Sequence, residues 1–348
     1  MATGQWPTIA DLTSRTTSWG KQAYIAEMLS QAICVAEDLP VLEANEIGGH
    51  EFVFRTSIPA GSWRQYNMGV PYSKSTTAKS RVGIGALEDY SQVDRMLAED
   101  SGDIDQFREN EDVAFLEGMG QTMEQTVWYG NTAVTPAEFM GLAPFYNTVA
   151  TSTAQNAANV IDGGGTGSSN LSIWGIGWGA RTIFGIYPRG SKAGLTMEDK
   201  ADTVPGFDSL GNRFEAYTSW FRHQLAIVPQ DWRYAFRIAN VDVTSAGLAG
   251  PSALDIFATL AEAQMFPPHL SARTSTITKT DAPNFFNDTA TTEIYTNRTG
   301  MHWMQVQALR DRNVLLRIDD YAGIPTDSWR GLPIKISDQL LNTEARLT

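Results

Sequence analysis

The sequence predicts an α+β fold, in which a long helix and many short strands mix without the strand–helix–strand alternation of a parallel sheet. Three observations carry that expectation. From Asp103 to Tyr129 apolar residues recur at helical spacing, enough for a rod of about 40 Å. Beyond Pro144, short apolar runs punctuated by Gly and Pro read as strands. Ahead of the helix, His50 to about Ala86 alternates like an extended ribbon but is too polar to be core. With 348 residues, 42% of them hydrophobic and 19% charged, the chain can bury a substantial core.

Taken in order, residues up to about Pro7 read as a loose arm. Lys21 to Asp38 reads as a helix with its apolar stripe at Ile25, Leu29, Ile33 and Ala36, closed by Pro40. Cys34 sits beside that stripe, where a small, half-buried hydrophobe is expected rather than a reactive thiol. Phe52 and Phe54 then share one strand face, and Val53 and Arg55 the other. Pro59-Ala60-Gly61 punctuates, and Ser62 to Asn67 resumes as a second extended piece with Trp63 and Tyr66. Ser73 to Ser80 is a small polar tip, after which Arg81 to Leu87 returns with Val82, Ile84 and Ala86 on one face. A free two-stranded ribbon is marginal in water. It should therefore lie on its own domain or on a neighbouring subunit. Tyr90 to Ala98 is read as a strand continuing from it.

Asp103 or Ser101 caps the long helix, and Asp105, Glu109, Glu111 and Asp112 crowd the end where the macrodipole favours acids. Its stripe is Ile104, Phe107, Phe115, Met119, Met123 and Val127, widened by Leu116 and Trp128. Gly118 and Gly120 predict a close backbone approach or a kink, and Gly130-Asn131 supplies the stop. Gly163 to Ser169 is a flexible loop. Ser172 to Trp178 and Thr182 to Tyr187 form an apolar hairpin, and Phe214–Phe221, Leu225–Val228 and Trp232–Val243 are further strands. Ser252 to Met265 is a helix ended by Pro267-Pro268. Arg273 to Ile277 is a strand, Gly300 to Arg312 a helix and Val314 to Ile318 a strand, and Ile324 to Ile334 closes the chain as buried strand.

Composition and motifs exclude more than they propose. A net charge of −13 argues against general nucleic-acid affinity, although a container for a polyanion needs no tight binding. One cysteine excludes an internal disulfide and a cysteine-based zinc cluster. The start shows no signal-peptide pattern and no run approaches a membrane span, so a soluble protein of a reducing compartment is expected. No Gly-Lys-Ser/Thr follows the glycines at 163–167. His50, His223, His269 and His302 are widely spaced, and no Gly-x-Ser-x-Gly elbow occurs. Asp319-Asp320 fits a solvated loop and Asp103–Asp105 a helix start better than an acid–base pair. No cofactor or metal is expected. The rival to a structural role is a carbohydrate-active enzyme or glycan-binding protein, suggested by the acidic balance and ten Trp.

Several ordered segments carry a resemblance. Trp63-Arg64, Ser73 to Ala78, Phe115-Leu116-Glu117, Tyr129-Gly130-Asn131, Phe139 to Pro144, Asn156 to Gly165 and Ile186 to Gly194 together resemble the major capsid proteins of tailed bacteriophages, with the Hong Kong 97-type fold. The resemblance covers nearly the whole chain. It implies an N-terminal arm with a helix over residues 1–49, an extended loop over 50–87 that overlaps a neighbour, and a peripheral domain over 88–242 with its spine helix at 103–129. It further implies an axial domain over most of 243–311 and a C-terminal return to the peripheral sheet over 312–348. The implied function is a virion shell subunit that assembles in the bacterial host cytoplasm into hexamers and pentamers around double-stranded DNA. A separate scaffolding protein, a portal and a cement or decoration protein are the implied partners. Candidate inter-subunit contacts are Trp63, Arg64, Tyr66, Tyr72, Lys74 and Lys79 on the arm and Glu109, Glu111 and Asp112 on the helix.

Overall fold

The computed structural model describes residues 31, 33–151, 154–200, 204–208, 210–244, 254–263, 291–310, 316–321, 324–330 and 332–348. The helix expected from Lys21 lies mostly outside these. Within them Gln31, Ile33 and Cys34 are not helical, and only a single turn, α1 (Val35–Asp38), follows. Its start is capped from a distance, because the Glu124 carboxylate accepts from the Cys34 N–H at 2.9 Å and the Val35 N–H at 3.4 Å.

After β1 (Val41–Glu43), β2 (Gly49–Ser57) and β3 (Thr76–Gly83) form the expected antiparallel ribbon, with Gly49 opposite Gly83 and Ser57 opposite Thr76. Two expectations are corrected there. Ser62–Asn67 is not a strand, since the loop of residues 58–75 offers it no partner and Asn67 turns at φ +64°. Thr76–Ser80 is ladder rather than tip, its β-branched threonines suiting the pleat. The chain passes through Ile84, whose N–H donates to the Gly48 carbonyl, into β4 (Gly85–Asp94). That strand stops at Asp94 rather than Ala98. The Asp94 side chain accepts from the Met96 N–H at 2.8 Å and opens α2 (Arg95–Asp100).

The long helix is α3 (Ile104–Tyr129), and the Asp103 carboxylate caps it by accepting from the Gln106 N–H at 3.1 Å. It ends where two backbones cross: the Gly141 N–H donates to the Gly130 carbonyl at 2.8 Å. A Cβ on Gly130 would lie 2.5 Å from the Phe139 carbonyl, and one on Gly141 2.5 Å from that of Thr126. This crossing needs glycine on both strands of chain. At the other glycine pair, a Cβ on Gly120 would meet the Ile33 methyl at 3.0 Å while one on Gly118 would meet nothing within 4 Å. The expected close approach therefore holds at Gly120 alone.

Then follow α4 (Leu142–Phe145), β5 (Val160–Asp162), β6 (Asn170–Trp178), β7 (Ile183–Tyr187), β8 (Leu195–Asp199), β9 (Val204–Phe207) and β10 (Arg213–Pro229). β6 and β7 are not a hairpin. They meet at one pair, Trp178 with Ile183, because the Thr182 hydroxyl, donating to the Gly177 carbonyl, holds a bend that sends β7 alongside β10 and β1. β10 is one strand of 17 residues where two were expected. Its polar middle, Arg222-His223-Gln224, stays in register opposite Glu88, Leu87 and Ala86 of β4.

β11 (Ala235–Asp242) pairs with β6 and β5. α5 (Ile256–Ala263) starts later than expected, where Asp255 accepts from the Phe257 and Ala258 N–H groups; Ser252 and Met265 lie outside the described residues. So does the strand expected at Arg273–Ile277. The chain closes with β12 (Thr291–Thr296), α6 (Arg298–Arg310), β13 (Leu316–Tyr321), β14 (Ile324–Trp329) and β15 (Leu332–Ile336). Asp319-Asp320 is thus strand, opposite Thr326 and Pro325, rather than loop.

The result is a mixed sheet of 13 described strands, ordered β13-β14-β15-β12-β6-β7-β10-β4 along its spine. Every residue of β6 is buried, and its two faces serve two cores. Trp174, Ile176 and Trp178 join Trp128 of α3 and Tyr146 on one side. Leu171 and Ile173 join Leu260 of α5 and Met304 of α6 on the other. Alternation along one strand builds both.

Through this sheet runs a buried ion pair, Arg237 to Glu344 at 2.8 Å, with side chains only 4% and 6% exposed. Arg237 also donates to the Ser172 hydroxyl and the Tyr146 carbonyl, each at 2.9 Å, and lies over the Trp174 ring. Glu344 accepts from the Tyr129 hydroxyl at 2.5 Å and from Ser172. Removing one partner of such a pair strands the other charge. E344A should cost about 3–5 kcal/mol, and the double variant R237M/E344L should recover most of that in urea denaturation. Independently, G118A should raise stability by about 0.5–1 kcal/mol, and G120A by less, because only the methyl added at position 120 meets Ile33.

Candidate inter-subunit surface

The ribbon of β2 and β3 is rooted in the core by Phe52 and Val82, and His50 packs edge-on against Phe184 at 5.7 Å. Burial lowers the His50 pKa, which favours the uncharged imidazole at the root. Beyond the root the arm leaves the subunit. Trp63, Tyr66 and Tyr72 are 105%, 96% and 107% exposed, and Ile58 and Met68 are also open to solvent. Large apolar side chains exposed together along one segment are the composition of an interaction surface. Arg64 and Lys74 are exposed beside it. Lys79 is part of the ladder, where it reaches Glu51 at 3.6 Å across the ribbon, and Arg81 reaches Glu46 at 2.9 Å.

The three helix candidates separate. Glu109 is exposed and Glu111 half-buried. Asp112 is buried and accepts from the Ser219 hydroxyl of β10 at 2.9 Å. Its expected place on a contact surface is corrected, because it stands seven residues before the buried Met119 and so shares its face of the helix. Next to it Arg108 bonds Asp199 at 2.7 Å and lies over the Tyr217 ring.

Two polar clusters tie the segments around the arm to the sheet, and both were missed in the sequence. Glu124 stands on the apolar stripe of α3 and accepts from the Cys34 and Val35 N–H groups and from the Ser337 hydroxyl. Burial raises its pKa. Burial, with the Glu124 carboxylate beside it, also pushes the Cys34 thiol well above its ordinary range, which suits the expected unreactive, half-buried role.

In the second cluster Lys335 of β15 lies 3.0 Å from Glu293 of β12 and also contacts Asp38 of α1. The Tyr295 hydroxyl sits between Asp38 at 2.6 Å and Glu293 at 2.9 Å, and accepts from the Trp178 indole at 2.7 Å. That hydroxyl has one proton. Given to Asp38, it leaves Glu293 as the donor in the remaining contact. Burial and the neighbouring Asp38 accordingly push the Glu293 pKa up to about 7.

Among the described residues no group of three or more His, Cys, Asp or Glu could hold a metal. His50, His223 and His302 stand apart on the arm root, β10 and α6, and His269 is outside the described residues. Trp128, Trp174, Trp178 and Trp329 are fully buried, so they are core rather than sugar platforms. No described helix is long and apolar enough to cross a membrane.

A folded-state pKa raised above the unfolded value adds stability below the unfolded value, lost as pH rises through the folded one. The Glu293 contribution should therefore fade between pH 4.5 and about 7. Thermal melts across that window should show E293Q gaining on the wild type as pH rises.

Residues 17–348 match the family described as Major capsid protein GP7. Comparison with solved structures finds a chain of the cryo-EM structure of bacteriophage Epsilon15, at TM-score 0.73 and 28% identity, covering 100% of this chain and 99% of that one. The capsid of bacteriophage JBD30 matches at TM-score 0.44 and 11% identity, over 96% of this chain and 99% of that one. The holo-SrpI encapsulin of Synechococcus elongatus PCC 7942 matches at 0.38 and 12%, over 64% and 94%. No curated protein sequence matches. The chain belongs to the major capsid protein GP7 family: it is a structural subunit of a bacteriophage capsid with the Hong Kong 97-type fold, and not an enzyme.

Proposed function

We propose that this subunit assembles into hexamers and pentamers of a closed head that encloses double-stranded DNA. The observation that carries the reading is the arm tip, whose Trp63, Tyr66 and Tyr72 have no partner in their own subunit among the described residues. Each arm lies over a neighbour, so a subunit is held by several others and weak contacts add up. The net charge of −13 suits a wall that contains a polyanion without gripping it. Assembly takes place in the bacterial host cytoplasm, with a separate scaffolding protein, a portal and a cement or decoration protein as partners.

The working division is an N-terminal arm over 1–49, the extended loop over 50–87, a peripheral domain over 88–242 and an axial domain over most of 243–311. Residues 312–348 return to the peripheral sheet. The helices α5 and α6 of the axial segment pack in the core on one face of β6, while α3 of the peripheral segment packs in the core on the other.

Replacing Ile58–Ser75 by a short Gly-containing turn should leave a folded subunit with an unchanged melting temperature and no shells by electron microscopy. Normal shells from that variant would sink the arm's role.

A further inference from the structure

The segment that leads into the arm is pinned by polar contacts at its two ends. Residues 35–38 form only the single turn α1, too short to hold a helical shape by itself. Val35 and Leu39 bury their side chains there. Even so, an apolar groove of about 340 Å³ remains between the segment and α3, lined by Val35, Ala36 and Leu39 on one side and by Leu116 and Met123 on the other. A gap of that size forfeits close contacts that would otherwise hold the turn in place. At one end Glu124 accepts from the Cys34 and Val35 N–H groups. At the other Asp38 meets Lys335 of β15 and the Tyr295 hydroxyl of β12. Beyond Asp38 the chain enters β1, paired with β7, and then the root of the arm.

The Asp38 end needs one more proton than its bases carry when ionised. The groups facing Glu293 are Asp38 from α1, Tyr295 from β12 itself and Lys335 from β15. From β6, Trp178 brings an uncharged donor, and from α3, Glu124 acts on the same turn through Cys34 and Val35. The Tyr295 hydroxyl has a single hydrogen to place between Asp38 at 2.6 Å and Glu293 at 2.9 Å. With a proton on Glu293 every contact has its hydrogen, and Asp38 and Lys335 balance. Without it one oxygen–oxygen contact has none, and two carboxylates share one ammonium. Their side chains are only 8% and 12% exposed, so water relieves little of that repulsion.

We propose that this site is a proton-dependent latch on residues 34–38: with Glu293 protonated the turn is clamped against β12 and β15, and loss of that proton releases it. The arm's root is then held from behind by β1 alone. The inference concerns one subunit by itself and does not rest on arms being shared between copies. Its direction follows from linkage: the latched state binds the proton more tightly than the released one, so release grows as pH rises. The Glu293 carboxyl is raised from 4.5 to about 7 in the latched state, by burial first and by Asp38 next, so release grows across that window and levels off above it.

Cys34, the one cysteine of the chain, stands at the start of the latched turn and reports its release. The test follows its reaction with a dipyridyl disulfide in the full-length, unassembled subunit, each rate divided by that of the urea-unfolded chain at the same pH. Between about pH 5 and about pH 7.5 the corrected rate of the wild type should rise on the order of fiftyfold, the factor that linkage gives for this window. E293Q keeps the shape of the neutral form, and D38N leaves one carboxylate for one ammonium, so both should stay near the low rate throughout. Hydrogen exchange at the Cys34, Val35 and Leu39 amides, corrected for its intrinsic pH dependence, should follow the same course. The amides of β6 should stay protected in all three proteins, which separates release of the turn from unfolding. A flat corrected rate in the wild type overturns the latch. So does a rise of the same size in E293Q, or one accompanied by exchange in β6.

Discussion

The fold depends on the buried pair of Arg237 and Glu344. Five segments distant in the chain meet at these two side chains: the end of α3 through Tyr129, the turn at Tyr146, β6 through Ser172, β11 and the C-terminal tail. A pair with so little exposure contributes modestly over an apolar substitute, yet it tolerates only one arrangement of its partners. It sets register rather than raw stability. Around it the aromatic cluster of Trp128, Trp174 and Tyr295 supplies the burial that drives folding.

The same logic recurs at Glu124 and at the Asp38–Glu293–Lys335 cluster. Each joins the segment before the arm to strands from the far end of the chain. A capsid subunit must hold its projecting elements at fixed angles, and buried polar contacts are directional where apolar ones are not. The arm is therefore free at its tip and specified at its root.

Much of this was legible in the sequence. The long helix announced itself by its period and by Asp103 and Gly130 at its ends, and the ribbon by Phe52, Phe54 and Val82. What failed did so for identifiable reasons. β10 read as two strands because Arg222-His223-Gln224 looks like a break, and only its partner β4 keeps that stretch in place. β8 and β9 escaped notice because they are short, mostly exposed strands at the edge of β10, with Pro205 and Gly206 inside β9. Asp112 was read as surface because a carboxylate on a helix usually is; the acceptor role toward Ser219 is a tertiary fact. Glu124 had a signal, its place between Met123 and Val127 on an apolar stripe.

The pairing of β4 with β10 has a mechanical consequence. The arm's return strand runs on through Ile84 into β4, which is bonded to β10 over ten residue pairs, Gly85 with Leu225 to Asp94 with Ala216. A tug on the arm along that axis loads the ladder in shear. Its bonds stretch together instead of unzipping one at a time. β10 then hands the load through Ala226–Pro229 to β7 within the main sheet, without an intervening hinge. With its arm tip held by a neighbour, as proposed above, a subunit would take up tension between copies along this ladder.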